Sequence, residues 1–477
     1  MKNFRFECLI NGMWRASSDG KTTPVTNPSS KKLLANVPSL SESDVQSAID
    51  SAGKAFELWR EIPARKRSDL LLGLANLIIA HTDTLAATIT AEQGKPLAES
   101  RGEITYAANY FRWFSEEAVR INGDIIPSDS NSKRIMVIKQ PIGVVAAITP
   151  WNFPLAMLAR KMAAALAAGC TFIAKPAPET PLTALALAAL TLEAGIPAGV
   201  VNVITGDAEM IGAALMQSPT VRKVTFTGST EVGKILIRQS AETVKKLTLE
   251  LGGNAPLVVC DDADISKAVE GAVFGKFRNA GQTCICVNRF LVHEKVAPQF
   301  TDALITRAKQ LVVGDGMNSA TDIGPLINND ALAKVTRLVE SASREGAKVN
   351  LPPAPTPAGS TFFAPTVISN ITPQMSIWKE EIFGPVCAIA TFANDEEAIA
   401  LANNTPHGLA AYLYSTNLNR ALSLAERLDF GMVGINDTSI SAAQAPFGGI
   451  KESGFGREGS KYGIDDYLVL KYLSVQS

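Results

Sequence analysis

The stretch KVTFTGSTEVG, from Lys223 to Gly233, runs from a strand-like apolar segment through a glycine turn into the start of a helix. The same alternation extends back to Met136, through a helix at Leu155–Ala168 and a short apolar run at Thr171–Ala174. Short buried strands that alternate with helices are typical of a parallel sheet covered on both faces. The pattern therefore predicts a doubly wound α/β unit of the kind that binds dinucleotides.

The glycine turn has two interpretations. Gly228 and Gly233 do not form the dinucleotide fingerprint Gly-x-Gly-x-x-Gly, so the segment taken alone favours an ordinary strand-to-helix turn. Taken with its neighbours, it makes Ser229 and the helix N-terminus behind it the predicted contact for a pyrophosphate, because amides at helix N-termini favour anions.

A second α/β pattern begins after Gly253. Its predicted strands and helices are Leu257–Cys260, Ile265–Phe277, Arg289–Val292 and Ala297–Leu311. The proline-rich residues 351–360 predict a surface loop. Ile135–Lys139 and Tyr467–Leu473 alternate in the way expected of edge strands that need a partner.

Composition excludes several classes of protein. The 477 residues suggest about three domain-sized units, and 46% hydrophobic with 19% charged residues is ordinary for a folded globular chain. Lys plus Arg number 45 and Asp plus Glu number 46, for a net charge of −1. Without a global basic field, we expect no nucleic-acid partner.

Cysteine, histidine and apolar content point to a cytosolic protein. Six cysteines in a chain of this length do not form a disulfide framework, and three widely separated histidines disfavour a metal site. The first eight residues carry charges where a signal peptide needs an apolar core. The most apolar window, Met162–Ala174, is too short to span a membrane, so no membrane partner is expected.

Four further segments carry groups suited to chemistry. Cys284, followed closely by Cys286 among small residues, predicts a nucleophile on an exposed turn, and Glu250 beside two glycines predicts a base whose backbone approaches a ligand closely. Each alone has a plainer explanation, a small buried cysteine or a charge at a strand end. The segments are FRNAGQTC (Phe277–Cys284), LELGG (Leu249–Gly253), PWNFP (Pro150–Pro154) and EEIFGP (Glu380–Pro385).

Together these segments resemble the NAD(P)-dependent aldehyde dehydrogenases, and the resemblance extends from about Ile10 to the C-terminus. It implies an α/β fold with a Rossmann-type cofactor domain, an α/β catalytic domain and a small β oligomerisation element that makes a homodimer or homotetramer. The implied boundaries are 1–122 and 143–252 for the cofactor domain, 253–440 for the catalytic domain, and 123–142 and 455–477 for the oligomerisation element.

The resemblance also implies roles in oxidation of an aldehyde to an acid. Cys284 would form a thiohemiacetal and then a thioester, and the Asn152 amide with the Cys284 backbone N–H would stabilise the oxyanion. Glu250 would be the general base for hydrolysis. Lys161 and Glu458 occupy positions of a proton relay in relatives, and a plain surface ion pair explains them equally well.

For the cofactor, the resemblance implies contacts with Glu381 and Phe383 at the nicotinamide ribose and Lys175 at the adenosine ribose. NAD-selective relatives have a carboxylate where this chain has Pro178, and Glu179 follows one residue too late. We therefore expect use of both NADP and NAD, with some preference for NADP. The implied cofactor site is completed by Thr149, Trp151, Gly228 and Ser229.

Three positions that are typically aromatic in relatives with apolar substrates are Arg160, Arg278 and Ser441 here. Two guanidinium groups suit a carboxylate, so the chain resembles the succinate-semialdehyde dehydrogenases. The alternative is that one or both arginines pair with structural carboxylates. Because residues 437–444 differ from the close relatives, glutarate semialdehyde, a hydroxylated semialdehyde or sulfolactaldehyde also fit.

Two further alternatives stay open. Cys286 is either a redox partner, bridging to Cys284 if the loop rearranges to meet disulfide geometry, or a small filler residue. A catalytically dead structural protein on the same fold is the non-enzymatic alternative, and the joint presence of Cys284, Glu250 and Asn152 argues against it.

Overall fold

The computed structural model describes residues 5–476. The helices are α1 Glu42–Trp59, α2 Ala64–Ala80, α3 Thr82–Gln93, α4 Leu97–Ala118, α5 Ala156–Ala168, α6 Pro181–Glu193, α7 Ala208–Gln217, α8 Thr230–Ser240, α9 Ile265–Phe277, α10 Ala297–Ala308, α11 Asn329–Arg344, α12 Ser376–Lys379, α13 Asp395–Asn403, α14 Leu418–Arg427 and α15 Ser460–Asp465. The strands are β1 Cys8–Ile10, β2 Met13–Arg15, β3 Thr22–Thr26, β4 Leu33–Pro38, β5 Asp124–Ile126, β6 Lys133–Pro141, β7 Val144–Ile148, β8 Thr171–Lys175, β9 Val201–Val203, β10 Val221–Thr227, β11 Lys246–Glu250, β12 Ala255–Val259, β13 Val287–His293, β14 Lys348–Leu351, β15 Thr366–Ser369, β16 Val386–Phe392, β17 His407–Gly408, β18 Ala410–Tyr414, β19 Met432–Ile435, β20 Ile450–Lys451, β21 Gly454–Phe455 and β22 Leu468–Gln476.

The first large sheet has the strand order β2-β1-β9-β8-β7-β10-β11-β21. Its five central strands, from β9 to β11, run parallel, and its flanking pairs are antiparallel. Every residue of β8 is buried, as expected for a parallel strand covered on both faces. Because parallel strands end at one edge, Lys175, Thr227 and Glu250 all stand at the carboxyl edge of this sheet.

The second large sheet has the order β14-β15-β16-β13-β12-β18-β19 and is parallel except at β14. It has its own apolar core, which includes Phe290, Trp378 and Tyr412. The turn carrying Cys284 leads directly into β13. These two parallel sheets confirm the predicted α/β class.

A three-stranded antiparallel sheet of β22, β6 and β5 stands apart from both. Strand β22 pairs along its whole length with β6, from Leu468 opposite Pro141 to Gln476 opposite Lys133. Large apolar side chains on this sheet are exposed, including Ile125, Leu470 and Tyr472. The predicted edge strands therefore pair with each other and leave apolar surface uncovered.

Residues 455–467 differ from the expected oligomerisation element. Phe455 pairs with Leu249 in the first large sheet, and α15 packs on α4 and α5. Ile464 of that helix belongs to the apolar core of the first sheet, which holds the segment there. The catalytic domain was expected to end at residue 440, but strand β20 lies beyond that residue and pairs with β17, which lies within residues 253–440. The domain division otherwise stays a prediction.

Local signals explain most element boundaries. Helix α6 begins at Pro181, because proline suits the first turn of a helix. Residues 352–360, after β14, form no regular element, as the prolines predict. Within residues 5–476, no single helix is long and apolar enough to cross a membrane; α2 and α3 meet that test only jointly, as a pair bent by 72°.

Candidate active site

A cavity of about 780 Å³ opens between the carboxyl edge of the first sheet and the turn before β13. Residues from both halves of the chain form its wall. Of the predicted site residues, those on the wall are Trp151, Asn152, Arg160, Gly228, Ser229, Arg278, Cys284, Glu381, Phe383 and Ser441. Those that do not line it are Thr149, Lys161, Lys175, Glu250, Cys286 and Glu458.

Cys284 is half-buried in the cavity wall rather than on an exposed turn. The turn before it contains Asn279 (φ 52°) and Ala280 (φ 55°), two non-glycine residues in the left-handed region. Such conformations persist when surrounding bonds hold them. Here the Asn279 N–H donates to Glu99 (2.9 Å) and Gln93 donates to the Asn279 side chain (2.8 Å). The cysteine is thus carried on a strained but tightly bonded turn.

Burial raises the pKa of the Cys284 thiol to about 12; the Arg160 cation opposes this shift, and the carboxylates Glu381 and Glu250 reinforce it. The LELGG and FRNAGQTC segments meet at Gly253: a Cβ there would stand 2.2 Å from the Cys284 carbonyl oxygen. Only glycine allows this approach of the two backbones.

A buried ion pair between Lys95 and Glu103 fixes the backbone of Asn152. Lys95 Nζ lies 2.7 Å from Glu103 Oε2 and donates to the Asn152 carbonyl at 2.6 Å. The other Glu103 oxygen accepts the N–H groups of Leu155 and Ala156, at 2.9 and 3.1 Å, at the start of α5. The carboxylate therefore caps that helix while its partner lysine fixes the Asn152 backbone.

The Asn152 side chain faces the nucleophile turn. Its amide nitrogen donates to the carbonyl of Gln282 at 3.0 Å, and Asn279 donates to the Asn152 carbonyl at 3.0 Å. Its side-chain oxygen is buried and has no hydrogen-bond partner among the described residues. The arrangement places a carboxamide and the Cys284 turn in one rigid unit.

Glu250 ends β11 and is almost completely buried behind the wall. Neither carboxylate oxygen has a hydrogen-bond partner within residues 5–476. One of them lies against Gly448, where a Cβ would come within 2.9 Å. Burial and the charge of Glu458 raise the pKa of Glu250 well above its ordinary value, so its protonated form is favoured.

Arg160, Lys161 and Glu458 form a buried charge cluster, not a surface ion pair. The Arg160 Nε lies 2.7 Å from Glu458 Oε2, and Lys161 Nζ contacts Glu458 Oε1 and donates to Thr227 at 2.6 Å. Although burial acts in the opposite direction, these two cations hold the pKa of Glu458 below its ordinary value. For Arg160 the structure therefore agrees with pairing to a structural carboxylate, with one edge still on the cavity wall.

Arg278 and Ser441 differ from Arg160 in their partners. The half-buried Arg278 guanidinium lies 5.2 Å from the ring centre of Phe153 and 5.5 Å from that of Phe274, with no carboxylate within ion-pair distance in the described part of the chain. The Ser441 hydroxyl hydrogen-bonds to the phenol of Tyr106. Among the described residues, the Arg278 guanidinium on the cavity wall therefore forms no direct ion pair, and Glu99 on the same wall is a carboxylate whose pKa it lowers.

At the other end of the cavity are groups suited to a dinucleotide. Ser229 is the N-cap of α8 and accepts the Val232 N–H at 3.3 Å. Glu381 accepts the Gly253 N–H at 3.0 Å, and burial raises its pKa to about 7. Phe383 has a left-handed φ of 55° and its ring lies edge-on to Trp151, with 5.7 Å between ring centres.

Thr149 and Lys175 stand beyond the cavity wall, at adjacent strand ends where the Thr149 N–H donates to the Lys175 carbonyl at 3.2 Å. Lys175 is buried, and burial lowers its pKa while Glu179 and Asp207 oppose that shift. Pro178, at the position expected for a selective carboxylate, is exposed.

Cys286 is buried, with its sulfur 3.6 Å from the Lys276 carbonyl oxygen and 3.5 Å from that of Val287. Both cysteines are free thiols here. A bridge to Cys284 would require the turn to release these contacts, so the redox role stays a prediction.

Sequence reasoning missed several residues around the cavity. Lys95 and Glu103 hold Asn152 from behind the nucleophile, whereas Glu99, Tyr106 and Lys334 line the wall. The acidic residues Glu99 and Glu103 share one face of α4 by their spacing, which was a usable signal. The backbone groups that they accept from, at Asn279 and Leu155, however, lie far away in the sequence.

The fold and the site define a two-domain α/β protein with a thiol and an unpaired guanidinium in one interdomain cavity. A family model described as "Aldehyde dehydrogenase family" matches residues 14–473. A succinate semialdehyde dehydrogenase of Acinetobacter baylyi is 52% identical over 98% of this chain and 97% of its own length. A glutarate-semialdehyde dehydrogenase of Pseudomonas aeruginosa is 49% identical over 99% of this chain and 98% of its own.

A crystal structure described as an E. coli NADP dependent enzyme superposes with a TM-score of 0.98 at 50% identity, covering 99% of this chain and 98% of that one. The chain belongs to the aldehyde dehydrogenase family. The predicted membership and the predicted fold are thus confirmed.

Proposed function

We propose that this protein oxidises a small anionic aldehyde, succinate semialdehyde first among them, to the carboxylic acid with NADP or NAD. The observation that carries the proposal is that the unpaired Arg278 guanidinium shares one cavity with the Cys284 thiol. The name of the Acinetobacter relative supports the four-carbon substrate.

In this reaction Cys284 is the nucleophile. Its thiolate adds to the aldehyde carbon and gives a thiohemiacetal, and loss of hydride from that carbon leaves a thioester. The Asn152 carboxamide, fixed by the Lys95–Glu103 pair, supplies a preorganised donor to the oxyanion. Since burial favours the thiol, a base must take its proton before attack.

Glu250 is the base for hydrolysis of the thioester. Once deprotonated, its buried carboxylate has no hydrogen-bond partner among the described residues, so it has no contact to break before it takes a proton from water. It stands behind the wall, and its side chain must turn toward Cys284 to act. The neighbouring Lys161–Glu458 pair, whose lysine also donates to Thr227, offers a route for that proton.

Arg278 binds the distal carboxylate of the substrate, assisted by Ser441 and by the free edge of Arg160. A charge-assisted bond from an unpaired guanidinium discriminates strongly between anionic and neutral aldehydes. Arg160 contributes less charge, because Glu458 already neutralises it.

The cofactor site fits a dinucleotide. Ser229 and the first turn of α8 would hold the pyrophosphate, Glu381 and Phe383 the nicotinamide ribose, and Lys175 the adenosine ribose. When bound, the nicotinamide accepts the hydride that the substrate carbon loses. Because Pro178 puts no carboxylate at the selective position, NADP is accepted as well as NAD, with NADP preferred, in keeping with the NADP-dependent E. coli structure.

Glutarate semialdehyde is the second candidate, favoured by the name of the Pseudomonas relative. It keeps the distal carboxylate and is one carbon longer, so the same arginine would bind it. The loop at residues 437–444 contains Ser441 and would decide the length accepted.

Self-association through the small sheet is part of this proposal. By the strand register, the exposed apolar residues Ile126, Leu470 and Tyr472 share one face of this sheet, and that face suits a second copy of the chain. Dimer and tetramer both fit it, and a cytosolic location stays a prediction.

The test is initial-rate kinetics on the reduced enzyme, followed by the absorbance of reduced nicotinamide. Succinate semialdehyde, glutarate semialdehyde, sulfolactaldehyde and propanal are each measured with NAD and NADP. We expect kcat/KM for succinate semialdehyde to exceed that for propanal by about tenfold or more. A preference for propanal would reject the anion site and leave the family assignment unchanged.

A further inference from the structure

Three hydroxyl groups form a chain that ends at the cavity wall. The phenol oxygens of Tyr110 and Tyr106 are 2.9 Å apart, and the Tyr106 phenol hydrogen-bonds to the Ser441 hydroxyl. The two rings pack edge to face with 5.1 Å between centres. Tyr106 and Ser441 line the same cavity as Cys284, whereas Tyr110 is completely buried.

The burial of Tyr110 decides which way the hydrogens point. Burial raises the pKa of its phenol well above the ordinary value, so the phenol keeps its proton. Tyr106 is the hydrogen-bond partner of that phenol among residues 5–476. A buried donor without an acceptor is unfavourable, so Tyr110 donates to Tyr106.

The rest of the chain follows from that direction. With its oxygen accepting from Tyr110, Tyr106 turns its own hydrogen toward Ser441. Ser441 then accepts from Tyr106, and its single hydrogen is left to point into the cavity. A serine hydroxyl is otherwise free to rotate, and this chain makes it a fixed donor.

We propose that Tyr106 is a specificity residue: it orients the Ser441 hydroxyl as a donor toward the distal anion of the substrate, beside Arg278. This inference rests on the proposed function. An aldehyde without a distal anion gains nothing from the oriented donor, so the chain favours anionic substrates selectively.

Tyr106→Phe tests the proposal, because the ring packing is kept and only the hydroxyl is lost. We expect KM for succinate semialdehyde to rise about three- to tenfold, with kcat and the KM for propanal unchanged. Tyr462→Phe, on the exposed face of α15, is the matched control and should change neither substrate.

A double-mutant cycle separates orientation from direct contact. If Tyr106 acts through Ser441, the variant with both Tyr106→Phe and Ser441→Ala binds succinate semialdehyde no worse than Ser441→Ala alone. Additive losses, or an equal loss for propanal, would overturn the proposal.

The outcomes also separate this inference from the proposed function. No preference for anionic aldehydes in the unmodified enzyme overturns both. A preference that survives intact in Tyr106→Phe overturns only the role of Tyr106. If thermal unfolding shows that Tyr106→Phe is destabilised, the selectivity of Ser441→Ala for anionic over neutral aldehydes is measured instead. Unchanged selectivity in Ser441→Ala would reject the oriented donor.

Discussion

The two sides of the cavity differ in how their buried charges are compensated. On the Asn152 side, Lys95 and Glu103 are buried as a complete pair, and the backbone groups around them are hydrogen-bonded. On the Glu250 side, a buried carboxylate next to Glu458 has no hydrogen-bond partner in the part of the chain that the structure describes. The first side is therefore suited to holding a fixed geometry, and the second to gaining and losing a proton.

The difference teaches where each function requires rigidity. An oxyanion donor works best when it is already in place, because no reorganisation is then needed during the reaction. A general base needs a pKa near the working pH and freedom to reach water. The structure separates these requirements, with Cys284 between the two sides.

Removing the nucleophile should have the largest effect. In Cys284→Ala we expect steady turnover to fall by about 10³-fold or more, because no other thiol of residues 5–476 lines the cavity, while NADP binding is retained. Turnover is measured by nicotinamide absorbance and binding by protein fluorescence. Cys286→Ala is the matched control, and a similar loss there would question which cysteine reacts.

Glu250→Gln should lower steady turnover by about 10²- to 10³-fold, because the thioester loses its base. A burst of reduced nicotinamide in the first turnover should remain, and stopped-flow absorbance would detect it. Loss of the burst together with turnover would place Glu250 before thioester formation.

The pH dependence of activity in Glu250→Gln provides a second test of the proton-transfer role of the Glu250 side. Burial raises the pKa values of Cys284, to about 12, and of Glu250, so the reactive deprotonated forms increase as pH rises. Activity should therefore increase with pH through the neutral range. Where deacylation limits the unmodified enzyme, the steady rate of Glu250→Gln should depend less steeply on pH.

Arg278→Ala should raise KM for succinate semialdehyde by about 10- to 100-fold and leave propanal unaffected, because a charge-assisted bond is lost. No carboxylate lies within ion-pair distance of Arg278 in residues 5–476, and its charge only partly opposes the rise that burial causes in the pKa of the nearby Glu99. Arg160→Ala, by contrast, leaves Glu458 with one cation fewer, and it should also destabilise the protein. Equal effects on both aldehydes in Arg278→Ala would indicate a structural role.

The smallest effect on activity is expected on the fixed side. Lys95→Met should reduce kcat about tenfold, because the Asn152 backbone loses its clamp, and should destabilise the protein by about 3–5 kcal/mol through the stranded Glu103. Replacing both partners, Lys95→Met with Glu103→Leu, should recover only part of the stability, because the Leu155 and Ala156 N–H groups lose their acceptor, and should not recover kcat. Recovery of both, by thermal unfolding and initial rates, would show that the pair serves only stability.

Much of the fold could be predicted from the sequence. The helix predicted at Ile265–Phe277 has those bounds in the structure, and most central strands lie within two residues of their predicted ends. These elements depend on local patterns: apolar period, glycine turns and prolines. The sequence placed residues 455–467 in the oligomerisation element, whereas in the structure α15 packs against α4 and α5. Local patterns could not predict this packing, because α4 and α5 are distant from α15 in the sequence.

The candidate site divides in the same way. The sequence by itself determined the family, and it singled out Cys284, Asn152 and Glu250 as candidates, since each lies in a short motif. Only the tertiary structure decided that Arg160 pairs with Glu458, that Lys95 holds Asn152 from 57 residues away, and that Tyr106 meets Ser441 from 335 residues away. A charged or hydroxyl-bearing residue can be identified from the sequence, but its energetic role depends on the partner that the folded chain places beside it.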